Sequence, residues 1–154
     1  MTTMNLPLQV KGIEVFYDGR CGMCCTFAEW IGGQERAFAV KFVPYQAEEA
    51  EEVLPGIEAL DPAREMVLRV DGENIYRGAE AWVYCLYSCV SYRKLARRLA
   101  GPRMLPVAKK VCVALAANRH GLSKIFFRRK DREVRKHLHA IPDPEPYEEG
   151  TWVV

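Results

Sequence analysis

No apolar run in this chain approaches the ~18 residues that a membrane-crossing helix needs. The opening MTTMNLPLQVKG has neither the basic start nor the apolar stretch of a secretion signal. These two absences make a cytoplasmic protein the expectation. Histidine is scarce, with three in 154 residues, and none sits at metal-ligand spacing. His137 and His139 are two apart in a basic segment, and His120 precedes a glycine at an expected helix end, where the helix dipole alone favours a cation. There is no second Cys-x-x-Cys to complete a four-ligand zinc site. No Ser/His/Asp set, phosphate-cradling glycine loop, paired carboxylates, internal repeat or low-complexity tract stands out.

The chain does have an ordinary globular composition, 49% apolar and 27% charged, and enough length to bury the core of one domain. The net charge of +2 conceals an asymmetry. Residues 92–140 hold 15 Lys/Arg against Asp131 and Glu133, a net +13, whereas residues 1–91 hold 7 basic and 14 acidic residues, a net −7. The remaining −4 belongs to the tail IPDPEPYEEGTWVV. The basic segment reads either as a solvated helical face or as a surface for an anionic partner, a lipid headgroup layer or a nucleic acid.

Ile13–Tyr17 is a short run of β-branched and aromatic residues and predicts a buried strand. After the Asp18-Gly19 turn the pattern becomes helical from Cys21 to Ile31, and Gly32-Gly33 stops it. Phe38, Val40 and Phe42 alternate as a second strand. Strand, helix and strand within about 30 residues form a βαβ unit with parallel strands. AEEAEEVL (47–54) predicts a short acidic helix, and MVLRVDGENIYRG (66–78) a hairpin around Asp71-Gly72. A helix follows from Ala79, with Trp82, Cys85, Leu86, Cys89 and Val90 on one apolar face. Gly101-Pro102 breaks the next helix. Leu105, Ala108, Cys112 and Leu115 stripe another, expected to end near Asn118–Gly121. The order suits an α/β, thioredoxin-like fold: a four-stranded mixed sheet flanked by helices, with a basic helical C-terminal extension. Residues 1–122 would form the domain, and 123–154 the basic segment and the acidic, Pro-rich tail.

The cysteines carry the chemistry. In VFYDGRCGMCC, Cys21 and Cys24 stand where the first strand gives way to the first helix. Unpaired N–H groups and the macrodipole at a helix start favour a thiolate, and Arg20 pushes the same way. Cys24, three residues on, falls on the same helix face within disulfide reach. Cys21 is the expected nucleophile, more exposed at the tip, and Cys24 the resolving thiol. Cys25 lies about 100° around the helix from Cys24 and reads as inward packing. Cys85, Cys89 and Cys112 lie on apolar stripes and read as small buried hydrophobes. Asp18 is expected to hold the turn that aims Cys21, with a role as proton acceptor for Cys24 as the alternative.

YDGRCGMC resembles the Asp-x-x-Cys-x-x-Cys signature of the DCC family, the DUF393 group of thiol-disulfide oxidoreductases. IYRGAEAW is similar to that family's second motif, and the Leu-Pro…Asn118-Arg119 stretch to its third. The resemblance covers about residues 13–122. It implies a thioredoxin-like fold, assigns the redox pair to Cys21 and Cys24, and makes Asp18 the third signature residue. One departure from the wider thioredoxin superfamily is the lack of its active-site cis-proline, whose position falls near Met66 in REMVLRV; Pro62 lies upstream of it.

The expected activity is thiol-disulfide exchange with a disulfide-bearing protein or a small-molecule thiol, with external thiols closing the cycle and no bound cofactor or metal required. The rival readings are a redox-sensitive module docking on an anionic membrane or partner through its basic helices, and a zinc-stabilised structural domain. Nucleic acid is the disfavoured anionic partner.

Overall fold

The structure, a computed structural model, describes residues 4–126. Its centre is a four-stranded sheet in the order β2-β1-β3-β4. Strand β1 (Gly12–Tyr17) runs parallel to β2 (Ala39–Pro44), joined by helix α1 (Gly22–Gly32). On its other edge β1 pairs antiparallel with β3 (Val67–Val70), which turns back into β4 (Asn74–Arg77). Asp71 and Gly72 both take positive φ, 51° and 75°, the conformation a tight hairpin turn demands and Asp-Gly tolerates. The Asp71 carboxylate also accepts the N–H groups of Lys11 and Gly12 at 2.8 and 3.0 Å, so the turn pins the start of β1.

Alternation along the strands sends residues to two apolar layers. Val15 lies between Phe42 and Leu68 in the sheet, and all three join the larger core, under α1 and helix α3 (Ala79–Ser88). Phe16, Val43 and Val67 face the opposite side. There they meet Ala50 of helix α2 (Glu48–Val53) together with Leu54 and Ile57, the latter opening a short 3-10 turn, Ile57–Leu60. Helix α4 (Arg93–Leu99) packs on α3, and helix α5 (Leu105–Phe126) lies against α1 and α3.

The βαβ unit, the acidic helix and the hairpin match expectation. Two helices differ. In α3 the expected apolar face is too narrow: Cys85 and Cys89 are buried, but so are Ala81, Val83, Tyr84 and Tyr87, while Trp82, Leu86 and Val90 form the partly exposed line. The helix is covered on most sides by the sheet and α4, so its burial exceeds one stripe. Helix α5 does not stop at Asn118–Gly121 but continues to Phe126, the last described residue. A helical glycine costs only about 1 kcal/mol, too little to end a helix of otherwise good formers. His120 therefore stands inside α5 rather than at its end. His137, His139, the basic run beyond 127 and the acidic tail lie outside the described residues.

Candidate active site

The sheet ends the first strand at Tyr17, and the chain then has four residues in which to turn into α1. Asp18 organises that turn. Its backbone carbonyl accepts the Cys21 N–H at 3.1 Å, and its Oδ1 accepts the Arg20 N–H at 2.9 Å and the Gln46 Nε2 donor at 2.6 Å. Gln46 closes the clasp by accepting the Gly19 N–H on Oε1 at 3.0 Å. Sequence reading did not single out Gln46. Its signal was the parallel register, which sets Tyr17 against Pro44 and so brings the residues just past both strand ends together. Cys25 adds a third tie, its thiol donating to the Gly19 carbonyl at 3.4 Å. It is buried as expected, but it also fastens the loop to the helix.

Cys21 is the N-cap of α1, with φ −92° and ψ 110°, and its sulfur accepts the Cys24 N–H at 3.4 Å. Arg20 is exposed, held through its backbone by Asp18. The expected order of exposure is reversed. Cys21 is 0% exposed, whereas Cys24 is 6% exposed and forms part of a groove wall. Both thiols are thus buried, and of the two only Cys24 lines the groove.

The groove has a volume of about 620 Å³. Cys24 and Met23 form one wall, the 62–66 segment leading into β3 another, Arg77, Gly78 and Trp82 a third, and α5 from Cys112 to Ala117 the fourth. Met66, near which the superfamily's cis-proline position falls, lines the same groove as Cys24, and Pro62 lines it too. No cis peptide bond occurs among the described residues. Met66 is tied by its carbonyl to the Gly78 N–H at 2.9 Å. Gly78 has φ +58°, and a Cβ there would come within 2.5 Å of Glu65 Oε2, so the glycine at the head of α3 is a backbone requirement as well as part of a motif. Glu65 pairs with Arg77 at 3.1 Å across the same corner.

The remaining cysteines divide. Cys85 and Cys89 are fully buried; burial pushes the Cys85 thiol far up and the Cys89 thiol up to about 11, so neither is a thiolate near neutrality. Cys112 departs from its expected place in the core. It is half-buried and lines the groove that Cys24 lines, with its thiol raised by burial first and by the nearby Glu65 carboxylate second. Among the described residues no cluster of three or more His, Cys, Asp or Glu is arranged to hold a metal ion. No described helix is long and apolar enough to cross a membrane.

Comparison with curated proteins and with solved structures gives no match. A family model described as DCC1-like thiol-disulfide oxidoreductase matches residues 15–125, from the first strand through the thiol loop, the groove and most of α5. The four-stranded mixed sheet with its flanking helices is the thioredoxin-like fold of that family. The chain belongs to the DCC1-like thiol-disulfide oxidoreductases.

Proposed function

We propose that Cys21 and Cys24 are the exchanging pair, that a protein disulfide or small-molecule thiol enters along the groove, and that Cys24 is the sulfur it meets. The observation that carries this reading is the placement of the two sulfurs: Cys24 lines the groove, while Cys21 accepts the Cys24 N–H and is not among the lining residues. In the oxidised protein a substrate thiolate attacks Cys24 Sγ. The Cys21–Cys24 bond breaks, and Cys21 leaves as a thiolate that the helix N-terminus stabilises, which favours a fast departure. A second substrate thiolate then attacks the substrate sulfur of the mixed disulfide and frees Cys24. The substrate leaves as a disulfide, and two electrons have passed to the protein. In reverse, a Cys24 thiolate opens a substrate disulfide, Cys21 resolves the mixed disulfide, and an external thiol reduces the pair.

This reverses the roles that the sequence suggested while keeping the same two residues. Asp18 is the positioning residue. The two N–H···Oδ1 bonds it accepts support a loop-holding role over that of a base. Peptide mapping after mild oxidation tests the pairing. A single Cys21–Cys24 disulfide is the expected product, and a bond that includes Cys25 would overturn the assignment.

A further inference from the structure

Helix α5 has two apolar faces. Leu105, Ala108, Cys112 and Ala116 turn toward the core and the groove. Met104, just ahead of the helix, and Val107, Val111 and Leu115 follow at spacings of three, four and four, so they form a second stripe along one side. That stripe faces outward: Val107 and Val111 are each 51% exposed, Met104 43% and Leu115 39%. At 100° per residue, Lys110 lies on one flank of it, and Arg103 stands in the turn just ahead of the helix; both are exposed. The surrounding segment is strongly one-signed. Residues 92–126 hold nine Lys/Arg and no Asp/Glu.

A row of valines with cations beside it has the composition of a helix that lies in a membrane interface, with apolar side chains among the acyl carbons and cations against the phosphates. The charge decides among occupants. A second copy packed stripe to stripe would bring the Arg103 and Lys110 flanks of two basic segments together, with Glu80 already paired to Lys109 at 3.1 Å, whereas anionic headgroups do offset those flanks. A nucleic acid backbone would satisfy the cations but would leave the valines in water. No described helix spans a bilayer, so the contact is peripheral.

We propose that the Met104/Val107/Val111/Leu115 stripe of α5, flanked by Arg103 and Lys110, docks on an anionic lipid surface. Leu115 also lines the groove, so docking would hold the thiol site beside that surface. The proposal is independent of the thiol chemistry.

Cosedimentation of the full chain with vesicles of phosphatidylcholine, alone or mixed with phosphatidylglycerol, tests it. Association with the mixed vesicles is expected, falling from low to physiological salt. Val107→Glu with Val111→Glu should weaken it at least about tenfold by removing apolar burial and adding repulsion. Arg103→Ala with Lys110→Ala should weaken it on anionic vesicles alone. Both double variants should keep the parent's thiol-exchange rate. Equal binding to neutral vesicles, no binding to either, or binding indifferent to the valine pair would overturn the proposal. So would a dimer in sedimentation that the valine substitutions dissociate, which would assign the stripe to a second copy.

Discussion

Asp18 accepts two hydrogen bonds on one oxygen, and its two candidate roles separate on a single substitution. Asp18→Asn keeps an oxygen acceptor for the Arg20 N–H and removes the charge. The loop should persist, and both steps of exchange should run at near-parental rates in a single-turnover measurement; a selectively slowed resolution step would instead mark Asp18 as a base. Asp18→Ala leaves the Arg20 N–H and the Gln46 amide without that acceptor in a buried site and should cost about 1–3 kcal/mol in denaturant unfolding. Cys89 gives a pH signature. Its folded value is raised to about 11 by burial, against about 8.5 for a free thiol, so the unfolded chain releases that proton first as pH climbs. The contribution of this thiol to stability is therefore fully present below about pH 8.5 and is lost between there and about 11. Cys85, also raised by burial, adds to the decline. Thermal unfolding across that range should show the decline, and a Cys85→Ala, Cys89→Ala variant should flatten it, at a cost in packing.

Among the elements, what was legible in sequence was local. The strand-turn-helix at Cys21, the parallel second strand and the Asp71-Gly72 hairpin follow from periodicity and turn chemistry within a dozen residues. Non-local roles were not legible. Asp71 holds the start of β1 some 60 residues away, and Gln46 clasps the thiol loop from past the end of β2. The breadth of the buried surface on α3 likewise depends on elements that its own pattern cannot report. Two glycines show why a residue type alone misleads. Gly78 has φ +58° and Glu65 against its missing Cβ, so Gly78→Ala should destabilise by at least about 1–2 kcal/mol and distort the groove corner. Gly121, read from sequence as a stop, is helical with nothing within 4 Å of a Cβ. Gly121→Ala should therefore raise stability by about 0.5–1 kcal/mol. Chemical denaturation of the two variants side by side checks both signs.

At the scale of the molecule, the groove separates the two thiols proposed as the exchanging pair. The Cys-x-x-Cys spacing singles out Cys21 and Cys24 as candidates without ranking them. Which sulfur meets a substrate depends on walls contributed by residues 62–66, the head of α3 and α5, forty to ninety residues further along the chain. The same assembly moved Cys112 from an expected core position to the groove wall. Under the proposed mechanism Cys24, not Cys21, is the sulfur a substrate meets. Trapping with the single-substitution variants Cys21→Ser and Cys24→Ser, challenged with a disulfide substrate and mapped by mass, decides between the two. Persistent mixed disulfides on Cys24 in Cys21→Ser, with little adduct on Cys21 in Cys24→Ser, are the predicted result. Rapid adducts on Cys21 in Cys24→Ser, with Cys24 unreactive in its counterpart, would contradict it.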